Sequence, residues 1–146
     1  MKIEDDPVAN ELLSSDLLMR LGYIGPSSQP KVVPIWYQYS EGEFIVVTGP
    51  KADKVRSLRK RPKVAITIDS DKPPYKVLMV DGLATVEEVD GMAPEYDAIV
   101  RKHLGAAADG YLARMKGRVK RQVRIRIQPT GWRILDFVKR SPRSLS

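Results

Sequence analysis

The sequence predicts a mainly β fold with inserted helices, an α+β class in which antiparallel strands form a small barrel. About seven segments rich in β-branched and aromatic residues alternate with turn signals, a pattern typical of strands. Most of them follow one another too closely for the crossovers that parallel strands need, so antiparallel pairing is favoured. A barrel is favoured over an open sheet because closure removes exposed strand edges.

The first part of the chain predicts one helix followed by strands. Pro7 opens the segment "PVANELLSS", whose apolar residues recur at helical spacing, and a first helical turn accepts proline. Leu17–Ile24 predicts a strand that ends at a cluster of turn residues. The run "KVVPIWYQY" predicts a single strand, in which Pro34 indicates an edge position or a bulge. "FIVVTG" is the next predicted strand.

A short helix is predicted after Thr48. Ala52, Val55 and Leu58 recur at a spacing of three and form one narrow apolar stripe. Pro62 ends the helix because the residue before a proline avoids the α region. The next segment, "KVAITID", has the composition of a buried strand.

The last part of the chain predicts a long strand, two helices and two further strands. Gly82 lies inside "YKVLMVDGLATVEEV" and indicates a bulge or a barrel corner. "MAPEYDAIVRKHL" and "AADGYLARMKGR" predict helices, and the strands "QVRIRIQ" and "WRILDF" are expected to be joined by a turn at "PTG". A loosely ordered tail is expected over 138–146, at the end of a single domain, 1–146.

Composition narrows the classes of function. The chain has 146 residues, no cysteine and a formal net charge of +7, which attracts anions without identifying them. The lack of cysteine excludes disulfides and thiol nucleophiles. No segment approaches the roughly 20 apolar residues that span a bilayer, and the acidic N-terminus lacks a signal-peptide core, so no membrane association and a cytoplasmic location are expected.

Side-chain catalysis has little support in the sequence, and no catalytic residue is assigned. His103 is the only histidine and is interpreted as a surface or partly packed residue, so no metal site is expected. Glu87, Glu88 and Asp90 are interpreted as a solvated turn rather than a catalytic pair. If the protein is an enzyme, we therefore expect a cofactor to carry the chemistry.

Thr48–Pro62 is the predicted anion site. A strand ends there and a helix begins, and the unpaired amides of a helix N-terminus attract anions. Lys51 and Lys54 add positive charge, Thr48 adds a hydroxyl, and Gly49 allows close approach of the backbone. A solvated basic helix face explains the same pattern, and the residues alone leave both readings open. Other basic side chains of the segment are interpreted as such a face: Arg56, Lys60 and Arg61.

Three motifs together resemble the pyridoxamine 5′-phosphate oxidase-like split β-barrel superfamily. They are P-x-x-x-P-x-W beginning at Pro30, T-x-x-x-x-x-K-x-x-x-L-x-x-x-P beginning at Thr48, and V-x-G-x-A beginning at Val80. Within that superfamily, the chain is most similar to small FMN- or F420-dependent oxidoreductases. The resemblance implies a homodimer of split barrels with the cofactor at the dimer interface.

The resemblance also implies roles for particular residues. Thr48, Gly49 and Lys54 match the phosphate-binding stretch, and a serine–arginine pair of the family is replaced here by Ala52–Asp53. The resemblance implies that further positions contact the cofactor ring or the region beside it: Pro34, Ile35, Trp36, Lys76 and Trp132. Of these, Trp132 is implied to approach from the second subunit.

The leading hypothesis is an oxidoreductase that transfers a hydride between FMN or F420 and an unidentified small-molecule substrate. F420 is slightly favoured, because its anionic tail suits the basic patches around Lys51–Arg61 and Arg114–Arg126. The alternatives are a polyanion- or nucleic-acid-binding module, for which aromatic stacking residues are lacking among the bases, and a non-catalytic cofactor- or haem-binding protein. Guesses for the lining of a dimer interface are Val77, Met79 and Ile134.

Overall fold

The computed structural model describes residues 1–139 of the chain. It contains seven strands within this range: β1 Met19–Ile24, β2 Pro30–Ile35, β3 Gln38–Ser40, β4 Glu43–Thr48, β5 Lys63–Asp69, β6 Lys76–Asp90 and β7 Arg121–Asp136. It contains four α-helices within the same range: α1 Pro7–Leu13, α2 Asp53–Lys60, α3 Glu95–Leu104 and α4 Ala108–Met115. The predicted class, mainly β with inserted helices, is confirmed. Most of the tail predicted to be loosely ordered, residues 140–146, lies outside the described range.

All seven strands form one antiparallel sheet in the order β2-β1-β5-β6-β7-β4-β3. The two edge strands, β2 and β3, are consecutive in the chain and are joined only by Trp36 and Tyr37. Three Cα steps span at most about 11 Å, so the two edges must curl towards each other. No ladder joins β2 to β3 in the described chain, so the expectation of a closed barrel is wrong and the sheet stays open along this line.

The predicted single strand "KVVPIWYQY" is in fact divided between the two edges of the sheet. Residues up to Ile35 pair with β1, and residues from Gln38 onwards pair with β4. Local composition cannot reveal this division, because both halves have the same strand-like residues and their partners lie elsewhere in the chain. The edge position indicated by Pro34 is confirmed, since β2 has a partner on one side only.

The predicted turn at "PTG" is wrong, because β7 runs through it. Gly82 pairs with Pro129 and Asp81 pairs with Gly131, so Thr130 is an extra residue that forms a bulge. The irregularity predicted at Gly82 is confirmed on the other side of the same ladder. A Cβ atom at Gly82 would lie 2.7 Å from Cγ2 of Ile127, so glycine permits the two strands to pack this closely.

Two apolar clusters hold helices against the two faces of the sheet. The first fills the curled interior with alternate residues of the strands, and α1 and α2 pack onto it through residues such as Leu12 and Leu58. The second lies on the outer face, where Ile45 and Val47 of β4 pack against α3 and α4. Because β4 is covered on both faces, four successive residues from Phe44 to Val47 are buried.

Candidate functional site

A cavity of about 690 Å³ opens where β4 leads into α2. We call it the inner cavity, because its wall includes Val123, which points into the curled interior. Four basic side chains line it, against two acidic ones: Lys31, Lys51, Arg56 and Arg59, with Asp53 and Glu88. The cavity therefore has an excess of positive charge at the end of the sheet where the sequence predicts an anion site.

The N-terminus of α2 lacks a side-chain cap and faces this cavity. Its N-cap residue is Ala52, which has no hydrogen-bonding side chain. The N-terminus of α1 differs, since Asp6 accepts hydrogen bonds there from the amides of Val8 and Ala9 at 2.9 and 3.0 Å. First-turn amides and the helix dipole of α2 are thus available to an anion. The hydrogen bond from the Val55 amide to the carbonyl of Ala52, at 3.1 Å, occupies one of those amides.

Lys54 lies in the first turn of α2 and is half-buried. Burial lowers the pKa of its ammonium group, and the negative charge of Asp53 only partly opposes this effect. Lys54 forms no ion pair within residues 1–139. It is a partly desolvated cation without a carboxylate partner, an arrangement that favours an incoming anion. Its side chain is not part of the wall of the inner cavity.

Thr48 and Gly49 line a different cavity, of about 430 Å³, on the other side of the β4–β7 ladder. We call it the outer cavity, because Val47 in its wall belongs to the outer apolar cluster. Both cavities contact Pro50. The structure therefore separates the predicted phosphate-binding residues: Lys51 lines the inner cavity, whereas Thr48 and Gly49 line the outer one.

Pro34, Ile35 and Trp36 lie at the end of the open edge of β2 and just beyond it. One side of β2 pairs with β1, and the other side carries no ladder in the described chain, so its backbone groups can bind a ligand. The indole of Trp36 is directed into the helical layer, where it stacks on His103 with centroids 6.0 Å apart and meets the edge of Tyr111 at 5.7 Å. The Trp36 side chain thus serves packing, and the backbone of this stretch is the part available for recognition.

His103 is a partly packed residue that binds the Trp36–Tyr37 segment between β2 and β3. Its Nε2 accepts a hydrogen bond from the Tyr37 amide at 3.1 Å, and its Nδ1 lies 3.2 Å from the carbonyl of Asp16, to which it donates. Burial and the neighbouring charge of Lys102 lower its pKa. Both ring nitrogens are engaged, so His103 is not presented as a haem ligand.

Lys76 and Trp132 lie away from the inner cavity of the same subunit. Lys76 begins β6 and forms an ion pair with Glu11 at 2.9 Å, and this hydrogen bond raises its pKa. It stands twelve positions before Glu88 on the same strand, and Glu88 is the residue of β6 that lines the inner cavity. Trp132 packs against the interior cluster and lines a third cavity, of about 800 Å³, beside Tyr39.

Two of the three residues guessed for a dimer interface point outward. Val77 and Met79 are half-buried and alternate with the inward-facing Leu78 and Val80. Ile134 pairs with Leu78 and packs against the interior cluster but is only partly buried, so its place in a dimer interface stays a prediction.

Sequence reasoning missed three basic residues of the inner cavity. Arg56 was assigned to a solvated face; it is exposed, yet it also lines the cavity together with Arg59. These two residues are three apart on α2, so helical spacing could have placed them on one face. Lys31 comes from the distant strand β2, and no local signal in the sequence joins it to α2.

Two kinds of feature are absent from the described residues. Residues 1–139 contain no group of three His, Cys, Asp or Glu side chains arranged to hold a metal ion. None of the helices in this part of the chain combines the length and the apolar character needed to cross a bilayer.

Comparisons with known proteins agree with the fold. A family model described as "Pyridoxamine 5'-phosphate oxidase" matches residues 6–136. Among solved structures, an F420 reductase is 22% identical, with a TM-score of 0.67 over 85% of this chain and 94% of that one. A FAD-binding protein from Mesorhizobium loti is 21% identical, with a TM-score of 0.56 over 86% and 87% of the two chains.

A third similar structure has a different role. The haem storage protein HutZ from Vibrio cholerae is 19% identical, with a TM-score of 0.62 over 93% of this chain and 95% of that one. No curated protein sequence matches the chain. At these identities the structural neighbours establish the fold alone.

Proposed function

We propose that this chain, which belongs to the pyridoxamine 5′-phosphate oxidase family, binds a flavin-type cofactor, F420 or FMN, and is an oxidoreductase acting on a small-molecule substrate. The observation that carries the proposal is the inner cavity, where the uncapped N-terminus of α2, Lys51 and the start of the open strand β2 meet. The F420 reductase and the FAD-binding protein with this fold support a cofactor of this type.

The anionic end of the cofactor fits the inner cavity. A phosphate there would accept hydrogen bonds from first-turn amides of α2, whose dipole favours negative charge. Lys51 and Lys31 line the same cavity and supply full positive charges, and Lys54 adds a third charge from the first turn. Asp53 and Glu88 only partly offset this charge.

The ring end of the cofactor fits the open edge of β2. Lys31 and Ile35 are four residues apart on this strand, about 13 Å along an extended backbone. That is the scale of the distance from phosphate to ring in an extended flavin mononucleotide. Backbone carbonyls at Pro34–Trp36 and the amides of Ile35 and Trp36 would then hydrogen-bond the polar edge of a planar heterocycle.

The protein's role would be to bind and to orient. The bound cofactor supplies hydride transfer. The two carboxylates that line the inner cavity, Asp53 and Glu88, lie among four basic side chains, and the chain itself would contribute charge, backbone hydrogen bonds and a fixed ring position. A second copy of the chain would complete the site by covering the outer surface of β1, β2, β5 and β6, where Val32 and Leu83 are exposed.

F420 remains slightly favoured over FMN, because the basic side chains exceed what one phosphate needs. Arg56 and Arg59 line the inner cavity in addition to Lys31 and Lys51. An anionic tail of several carboxylates would engage them, whereas FMN has only its phosphate.

Fluorescence titration of the purified chain with FMN and with F420 tests the proposal. We expect saturable binding of both and tighter binding of F420. Lys51→Gln should weaken binding at least about tenfold, because a charge-assisted hydrogen bond contributes about 1.5–3 kcal/mol. Lys72→Gln is the matched control, since Lys72 is exposed in the β5–β6 connection and lines no part of the inner cavity. Absence of cofactor binding together with tight binding of DNA would overturn the proposal in favour of a polyanion-binding module.

A further inference from the structure

We propose that the outer cavity is a second ligand site, which takes a small apolar or aromatic carboxylate. Nothing in the proposed cofactor site requires this cavity, and the inference does not rest on the proposed function. Its volume, about 430 Å³, lies within the range of small-molecule sites in proteins.

The β4–β7 ladder separates the outer cavity from the inner one. Thr48 pairs with Val123 at the end of this ladder. Val123 points inward and lines the inner cavity, whereas its neighbour Gln122 lines the outer cavity. Successive residues of a strand face opposite sides of a sheet, so the two cavities open on opposite faces. A ligand in one need not exclude a ligand in the other.

The floor of the outer cavity is largely apolar, and the Tyr96 hydroxyl and the Gln122 side-chain oxygen already have hydrogen-bond partners. Val47 and Tyr96 belong to the outer apolar cluster. The hydroxyl of Tyr96 is hydrogen-bonded to that of Tyr111 at 2.7 Å. Gln122 is buried, and its Oε1 accepts a hydrogen bond from the Ala93 amide at 2.8 Å. A largely apolar floor favours an apolar ligand body.

The rim of the outer cavity is cationic. Arg118, Lys120 and Arg121 line it. Arg118 and Lys120 form no ion pair within residues 1–139, and Arg121 has only a long contact to Asp90, at 3.8 Å. No acidic residue lines this cavity. Unpaired cations above an apolar floor match a molecule with an apolar body and one anionic group, as in an aromatic carboxylate.

Gly49 shows that the cavity mouth is open. A Cβ atom there would meet no other atom within 4 Å, and the backbone at Gly49 is not in the left-handed region that favours glycine. A ligand can therefore approach the Thr48–Pro50 backbone without displacing packed atoms.

Binding of 1-naphthoate to the cofactor-free protein tests the proposal, with calorimetry for affinity and amide chemical shifts for location. We expect saturable binding with shifts centred on Val47, Val119 and Gln122. The neutral analogue 1-naphthalenemethanol should bind at least about tenfold more weakly, since it lacks the charge that Arg118 and Lys120 would contact. Addition of FMN or F420 should leave the affinity for 1-naphthoate unchanged within about twofold.

Charge variants in one segment supply the control. The double variant Arg118→Gln/Lys120→Gln should weaken 1-naphthoate binding at least about tenfold. Arg114→Gln/Lys116→Gln removes the same charge from exposed positions nearby that line no part of the cavity, and it should change binding less than about twofold. Equal losses in both double variants, shifts elsewhere on the surface, no saturable binding, or competition by the cofactor would each overturn the assignment of a separate site.

Discussion

Replacing Lys54 with methionine should weaken cofactor binding and at the same time stabilise the cofactor-free protein. Methionine matches the four-atom stem of the lysine side chain and lacks its charged terminal group. Lys54 is half-buried in the first turn of α2 and has no carboxylate partner within residues 1–139. Its charge therefore carries a desolvation cost that an anion would offset.

The expected loss of affinity follows from one charge-assisted hydrogen bond, which Lys54 would form by turning its side chain towards the anion, since that side chain does not line the inner cavity in the cofactor-free structure. Such a bond contributes about 1.5–3 kcal/mol, so Lys54→Met should raise the dissociation constant for F420 or FMN about 10- to 150-fold. Isothermal titration at fixed ionic strength measures it. Lys60→Met is the matched control, because Lys60 is exposed in the last turn of the same helix and loses the same charge.

The gain in stability has a defined dependence on pH. Burial lowers the pKa of Lys54 in the folded protein, so the unfolded chain holds this proton more tightly. The resulting penalty is fully present below the folded pKa and disappears as the pH rises through that value towards the unfolded one. Lys54→Met should therefore melt above the wild type at neutral pH, with a gap that narrows at high pH. Unchanged affinity, or an equal loss in Lys60→Met, would refute the assignment of Lys54 to the cofactor site.

Three other predictions follow from the structure. Glu95→Gln should destabilise the protein by roughly 1–3 kcal/mol in chemical denaturation, because the largely buried Arg124 loses the carboxylate that lies 2.8 Å away and keeps only that of Glu87, at 3.6 Å. Burial tends to raise the pKa of Glu95, but hydrogen bonds and the charge of Arg124 outweigh this effect, so the pKa is lowered. The stability that the Glu95–Arg124 pair contributes should therefore be lost as the pH falls through the folded pKa of Glu95. The affinity for F420 should fall more steeply with salt than that for FMN, and equal salt slopes would contradict contact between the tail and the basic side chains. Light scattering should give the mass of a dimer, whose interface we expect to bury more than about 2,000 Å² in total. Met79→Glu should dissociate this dimer. A wild-type monomer at micromolar concentration would exclude an interfacial site.

Local patterns in the sequence determined the type of most elements. The stripe at Ala52, Val55 and Leu58 predicted α2, and the run "KVAITID" corresponds to β5, because the periodicity of side chains along a helix or strand is a property of neighbouring residues. The irregularity at Gly82 was also predictable, since a strand interior accepts glycine mainly where another backbone approaches closely.

Pairing between distant segments was decided only by the tertiary structure. The run from Lys31 to Tyr39 was predicted as one strand, yet its first half pairs with β1 and its second half pairs with β4, so that the two halves form opposite edges of the sheet. The turn signal at Pro129–Gly131 became a bulge, because β6 continues past it and pairs on both sides. Register and partner depend on contacts far apart in the chain, which no local period encodes.

The candidate site shows the same division. The cationic junction at Lys51 and Lys54 was visible in the sequence, because a strand end, a helix start and basic residues are adjacent there. The sequence did not reveal that Thr48 and Gly49 line a separate cavity, or that Lys31 lines the same cavity as residues of α2. The two cavities lie on opposite faces of the sheet formed by β4 and β7, and these faces exist only after the strands have paired.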